Sequence, residues 1–290
     1  MFAAPPVIDA RIWVRIPDAQ LVEGPAFDRA GNLWMTDIPT GRIFRIAPDG
    51  TITTVVQYDG EPNGLAIHRD GRVFVADHKQ GLLAVDPSSG TMAVVIDRPW
   101  GERFKGLNDV IFAANGDCWF TDQGESDQRD PTGRLFRLRS SGELDCLLDC
   151  VPSPNGLVLT PDESILYLAV TRANAVWRVP LKAHGIVGIG RLGIGRVGVW
   201  LQLSGGIGPD GMAMAADGSI VVAHVGFGSL WVFDRFGEPS RRVRCAEGRL
   251  PTNVAFGGPR NETLYITEVQ TGTVQVAELG NAGQRLYSHA

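Results

Sequence analysis

A short phrase recurs along the chain at near-regular intervals: an acid, amide or hydroxyl side chain, usually a glycine, then an apolar strand. It stands at Glu23-Gly24-Pro25-Ala26-Phe27, Asn63-Gly64-Leu65-Ala66-Ile67, Asn108-Asp109-Val110-Ile111-Phe112, Asn155-Gly156-Leu157-Val158-Leu159, Asp210-Gly211-Met212-Ala213-Met214 and Thr252-Asn253-Val254-Ala255-Phe256. The spacings between leading residues are 40, 45, 47, 55 and 42. A period of that size marks a propeller or array, in which each repeat is one supersecondary unit that buries its faces only against its neighbours. Each repeat then continues with a turn, a returning strand such as Leu33-Trp34-Met35-Thr36 or Cys118-Trp119-Phe120-Thr121, a third strand and a fourth. Asn-Gly and Asp-Gly at the turns are strong hairpin signals. The expected architecture is all-β: a six-bladed β-propeller of four-stranded blades, forming a single domain over residues 1–290. The strand Ile12 to Ile16 lies outside the repeats and is expected to complete the last blade, leaving no bare edge.

Composition agrees with this. Hydrophobic residues make up 44% of the 290, and 36 glycines with 18 prolines suit many short strands joined by tight turns. A formal charge of −5 argues against nucleic acid, because no basic stripe exists to displace counterions. The densest basic cluster, Arg241, Arg242 and Arg244, is flanked by Glu238 and Glu247 and reads as a solvated edge. Met1 to Ala10 lacks the pattern of a signal peptide, and no apolar run approaches the roughly 20 residues of a membrane span, so a cytoplasmic location without membrane contact is expected. Cys118, Cys146, Cys150 and Cys245 show no metal-ligand spacing and are expected to behave as small buried hydrophobes. The string Gly188-Ile189-Gly190-Arg191-Leu192-Gly193 spells a dinucleotide fingerprint but lacks the strand-before, helix-after context, and reads as an extended outer hairpin.

Hairpin geometry converts the repeat into a candidate site. Antiparallel strands return at equal rise, so a residue before a turn faces one equally far beyond it. Reflection pairs Glu23 with Asp37, Asn63 with Asp77, Asn108 with Asp122, Asp210 with His224, Thr252 with Glu268, and Asn155 with the apolar Val170. One end of the channel is thereby expected to gather several carboxylates, amides and a histidine. Two carboxylates about 4 Å apart repel by roughly 4 kcal/mol at an effective dielectric near 20, which a proton or a cation must relieve. Carboxylate and amide oxygens suit Ca²⁺ or Mg²⁺. The competing account is structural: Asp37, Asp77 and Asp122 at strand ends could bond turn backbone, and the leading Asn residues could cap strands. Glu23 and Asp210 resist it, because a bare carboxylate on the inner strand of a closed ring is costly.

The phrases around Glu23-Gly24-Pro25, Asn108-Asp109, Pro154-Asn155-Gly156, Pro209-Asp210-Gly211 and Pro251-Thr252-Asn253-Val254-Ala255-Phe256-Gly257-Gly258 together resemble the senescence marker protein/gluconolactonase/luciferin-regenerating enzyme family. The resemblance runs from about Leu21 to Val276. It implies a six-bladed propeller with one divalent cation on its axis, calcium first, with Mg²⁺, Mn²⁺, Fe²⁺ and Zn²⁺ as alternatives. It also implies a hydrolase acting on a small-molecule lactone. The metal ligands carry over onto Glu23, Asn155 and Asp210, and Asn108 becomes a substrate contact. The sugar lactonases place a substrate-binding basic residue two positions before that Asn; here that position is Gly106, with Lys105 beside it as the nearest basic group. Asp210 is the expected proton acceptor, Asp122 the second candidate, and His224 a proton shuttle. Asn63 and Thr252 read as scaffold. Phosphotriester or other ester hydrolysis on the same site, and a non-catalytic ligand-binding propeller, stay open as alternatives.

Overall fold

In the computed structural model, which describes residues 4–181 and 193–289, the chain forms six sheets arranged as consecutive blades. Their inner strands are Val22–Phe27, Pro62–Ile67, Leu107–Phe112, Pro154–Leu159, Gly208–Met214 and Pro251–Gly257, numbered here as blades 1 to 6. Blades 1 to 4 are four-stranded antiparallel meanders, each leading outward from its inner strand. Ring closure follows the sequence expectation: Arg11–Arg15 pairs antiparallel with Thr273–Glu278 as the outermost strand of blade 6. One addition was not legible in the sequence. Val7–Asp9 pairs in parallel with Pro239–Arg244 and makes blade 5 five-stranded, so the N-terminal segment stitches two blades together.

The turn after each inner strand has one form. Its tightest residue is Gly31, Gly71, Gly116, Glu163, Gly218 or Asn261, with φ of +82°, +96°, +86°, +51°, +84° and +56°. Four of these six are glycine, the residue that enters the left-handed region without a Cβ penalty.

Among the described residues the core is divided rather than central. Six apolar clusters fill the wedges between neighbouring blades. Trp34 and Ile43 of blade 1 meet Leu65, Val75 and Leu83 of blade 2, and Phe74 and Leu82 of blade 2 meet Val110, Phe120 and Phe136 of blade 3. Each sheet therefore buries both faces, which explains why its second strand reads as a continuous apolar run rather than an alternating one. Threonine hydroxyls reinforce the wedges: Thr36 donates to the Asn63 carbonyl at 2.8 Å, Thr121 to Asn155 at 3.0 Å, Thr171 to Pro209 at 2.7 Å and Thr252 to Val22 at 3.0 Å.

The C-terminal segment crosses the face opposite the leading residues. Gln284 donates to the Met214 carbonyl of blade 5, Tyr287 packs on His68 and Phe112 of blades 2 and 3, and the Ser288 carbonyl accepts from Arg29 of blade 1. Because blades 5 and 2 stand on opposite sides of the ring, this tail passes under the axis and closes that end.

All four cysteines are free thiols, but the expectation of burial holds fully only for Cys118; Cys150 is exposed. The Gly188 to Leu192 part of the glycine-rich string lies outside the described residues, and Leu181 and Ile194 on either side form a β-bridge. Among the described residues no helix is long and apolar enough to cross a membrane.

Candidate functional site

Every inner strand carries one extra residue just after its start. In blade 3 the register runs Leu107↔Asp122 and then Val110↔Phe120, so three steps on one strand match two on its partner. The same one-residue bulge follows Glu23, Pro62, Pro154, Pro209 and Pro251. A bulge bends its strand and re-aims the side chains beside it. Its consequence is that simple reflection misses by one residue in each blade. Asp37 lies opposite Val22, Asp77 opposite Pro62, His224 opposite Pro209 and Glu268 opposite Pro251. Since successive side chains alternate faces, the second-strand acids turn away from the leading residues.

Those acids form a ring of their own. Asp37 accepts the N–H groups of Gln20 and Leu21 at 3.0 and 2.8 Å. Asp77 accepts that of Glu61 at 2.9 Å, Asp122 that of Gly106 at 2.8 Å and Glu268 that of Leu250 at 2.9 Å. Arg42 and Arg134 add ion pairs to Asp37 and Asp122. Burial pushes the Asp37 carboxyl up, but the bonds from Thr40, Leu21, Arg42 and Gln20 outweigh it and hold the group below its ordinary value. The structural reading of Asp37, Asp77 and Asp122 therefore describes their contacts: each ties down the chain entering its inner strand.

A second set of side chains meets inside the channel. The Glu23 carboxylate accepts the Gly24 N–H at 2.6 Å and the Asn253 amide of blade 6 at 2.8 Å. The Asn253 amide also tempers the Asp109 carboxyl of blade 3, on the opposite side of the ring, and the Asn155 amide tempers Asp210, each opposing the rise in pKa. The two glycines of the neighbouring phrases make room: a Cβ on Gly64 would sit 2.2 Å from the Asp109 carboxylate, and one on Gly211 2.0 Å from the Asn253 amide. Asp109 and Asn253 are thus the site residues that sequence reasoning passed over. They stand one place after the leading residue, where the other four phrases have glycine, and that break in pattern is the signal that could have found them.

Three carboxylates share this enclosure. Burial raises Glu23 to about 6. Asp109 rises to about 7, through burial first and the Glu23 charge second. Asp210 is pushed well above the carboxylate range by burial, then by Glu23 and Asp109. Asp210 keeps some surface open to the channel, while Glu23, Asn155 and Asp109 are buried. Among the described residues no lysine or arginine contributes to any of these shifts. Among the described residues no three Asp, Glu, His or Cys side chains form a metal cluster. The donor set that fits a hard cation here is smaller, two carboxylates from Glu23 and Asp210 with the Asn155 amide oxygen.

The remaining expected site residues stand around this set. Asn108 is buried and donates to the Gln123 side chain at 3.1 Å, which in turn donates to Ser153 at 2.8 Å. Lys105 is on the exposed rim, its ammonium bonded to the Thr132 carbonyl at 2.7 Å. His224 is fully used by the scaffold: Trp231 donates to Nδ1 at 3.2 Å, which leaves the hydrogen on Nε2 to donate to the Gly205 carbonyl at 3.0 Å. Phe227 stacks on the ring at 5.0 Å, and burial lowers the imidazole pKa against the smaller opposing effect of Gly205. The structure brings Glu23, Asn155 and Asp210 to one channel; it does not bring Asp122 or His224 into contact with them.

A six-bladed propeller with carboxylates and amides gathered in its channel defines a narrow class. The chain belongs to the SMP-30/Gluconolactonase/LRE-like family, whose region matches residues 21–270. It is 30% identical to the gluconolactonase of Zymomonas mobilis over 294 aligned positions, covering 90% of this chain and 82% of that one. It is 28% identical to lactonase drp35 of Staphylococcus aureus, covering 81% of this chain and 74% of the relative. Among solved structures, regucalcin from Agrobacterium tumefaciens, described as a calcium-binding protein, superposes with a TM-score of 0.80 at 24% identity, covering 98% of both chains. That last likeness is one of fold.

Proposed function

We propose that the chain is a divalent-metal-dependent lactonase that opens a small cyclic ester to its hydroxy acid. The observation that carries the reading is the Glu23 and Asp210 pair beside the buried Asn155 amide: two carboxyls whose proton affinity is raised by burial, with no lysine or arginine among the described residues contributing to either shift. The relatives named gluconolactonase and lactonase support the substrate class.

In this reading Glu23, Asp210 and Asn155 would hold the ion, with calcium as the first expectation because all three donors are hard oxygens. A divalent cation so held would supply Lewis-acid polarisation of the ester carbonyl. Asp210, open to the channel on one side, takes the proton from the attacking water. Glu23 stays in place through its bonds to Gly24 and Asn253 and contributes charge rather than proton transfer. Asn108, oriented by Gln123 and Ser153, offers an amide to the substrate. Asp122, its carboxylate occupied by Gly106 and Arg134, and His224, both ring nitrogens occupied, belong to the frame of the mouth rather than to the proton path. Lys105 is a rim group.

The test couples metal content to rate. The purified protein is expected to bind one divalent ion, to lose lactone opening on chelation and to recover it on adding the ion back. Asp210→Asn is expected to lower kcat by about 10² or more, the usual scale of a general base. A variant that opens lactones as fast as the parent overturns the role of Asp210, and bound metal without hydrolysis across a broad lactone panel overturns the enzyme reading.

A further inference from the structure

We propose that His78 is a substrate-contacting, specificity-determining residue: its imidazole hydrogen-bonds ring substituents of the lactone at the channel mouth. The inference rests on the lactonase reading above.

His78 follows Asp77 in the turn between the second and third strands of blade 2. That turn is held from several sides. The His78 N–H donates to the Glu61 carbonyl at 2.9 Å, and Asp77 accepts from the Tyr58 hydroxyl at 2.6 Å and from the Lys79 and Gln80 N–H groups at 2.8 and 2.6 Å. The half-buried ring leans onto Gly106 of blade 3, where a Cβ would stand 2.2 to 2.6 Å from Cε1, Nδ1 and Nε2. Only glycine at that position leaves the ring its place, and Gly106 also takes a φ of +146°. Gly106 itself is fixed, its N–H on Asp122 at 2.8 Å and its carbonyl accepting the Gln123 N–H at 2.9 Å.

Two residues further on is Asn108, so the imidazole borders the same mouth. The other polar side chains there each hold a protein partner: Asn108 bonds Gln123, Gln123 bonds Ser153, and Lys105 bonds Thr132. His78 is different, because its ring nitrogens have no hydrogen-bond or ionic partner among the described residues and are not sealed from solvent. A rigidly seated imidazole offers one donor and one acceptor at little entropic cost on binding. In this proposal a ligand whose carbonyl sits at the Glu23, Asn155 and Asp210 set turns its ring substituents toward the wall that Asn108 and His78 form. The ligand chemistry that matches is a lactone bearing hydroxyl groups, which can use both imidazole functions, in preference to a plain aliphatic lactone.

The test compares steady-state kinetics of parent, His78→Ala and His78→Gln on a polyhydroxylated lactone and an unsubstituted lactone of the same ring size. His78→Ala is expected to raise KM for the hydroxylated lactone about tenfold, on the scale of one lost hydrogen bond. KM for the unsubstituted one, kcat for both and the metal content are expected to stay within about twofold. His78→Gln, which keeps a donor and an acceptor, is expected to recover part of the loss. Gly106→Ala, which displaces the ring, is expected to reproduce the His78→Ala selectivity. An active parent whose preference between the two lactones is unchanged in His78→Ala overturns this inference alone. A parent that opens neither lactone nor any other in a broad panel overturns the lactonase reading and this inference with it.

Discussion

Glu23, Asp109 and Asp210 show how one enclosure acts on several residues at once. Each is desolvated, and each raises the next by its charge. A carboxyl whose folded value is raised binds its proton more tightly in the folded state than in the unfolded chain, where it titrates near 4. The stability it contributes is therefore complete below about pH 4 and lost as the pH climbs through about 7 for Asp109. His224, whose folded value is lowered, works in the opposite sense over the same window, so the total slope mixes the two. Comparison with Asp109→Asn separates them. In metal-free buffer that variant is expected to gain stability relative to the parent as pH rises from about 5 to 8, read as denaturant midpoints at each pH. A constant difference across the range would remove Asp109 from the electrostatic set. Asp109 was only partly legible in the sequence: the phrase Asn108-Asp109 drew attention to the first residue, and the second is the one that reaches the axis toward Glu23 and Asn253.

At the scale of strands, the bulge in each inner strand separates two jobs that the repeat superimposes. Glu23, Asn155 and Asp210 meet in the channel, and the second-strand acids bind the backbone that enters the strand. Asp122 shows what the second job contributes. It is fully buried against Arg134, whose side chain is 13% exposed, and against the Gly106 N–H. Asp122→Asn leaves the guanidinium without its counter-charge, and is expected to cost about 3 kcal/mol of stability, seen as a lower denaturant midpoint. Metal affinity is expected to stay within about twofold of the parent, since the carboxylate is bonded to Gly106 and Arg134 rather than turned toward Glu23, Asn155 and Asp210. A variant of undiminished stability that loses metal would return Asp122 to the site. The strands themselves were plain in the sequence because both faces are buried and the turns carry Asn-Gly or Asp-Gly. Their register was not, because a bulge changes which face a residue takes without changing residue type.

The whole molecule is held as a ring of wedges, so its weakest place is where the chain closes on itself. Arg11–Arg15 covers the outer edge of blade 6, Trp13 packs edge-on against Tyr265 at 5.0 Å, and Val7–Asp9 ties the same segment to blade 5. Removal of residues 1–16 is expected to bare the strand Thr273–Glu278, lower the midpoint of thermal unfolding by 10 °C or more, and promote self-association detectable by light scattering. An unshifted midpoint would mean that the six wedges suffice without the closing strand. The number of blades, their four-strand plan and that closing strand were determined by the sequence alone, since a periodic phrase with turn chemistry between apolar runs needs only local rules to be read. The identity of Glu23 and Asp210 as carboxylates lacking a structural excuse was legible in the same way. Only the tertiary structure decided which polar groups meet. Asn253 donates to Glu23 and acts on the Asp109 carboxyl because ring closure brings residues from blades 6, 1 and 3 to one axis, and Asp122 and His224 are turned aside by a one-residue bulge. Distances across a closed ring and the face a side chain takes after a bulge are properties of the assembled sheet, and no local stretch of sequence carries them.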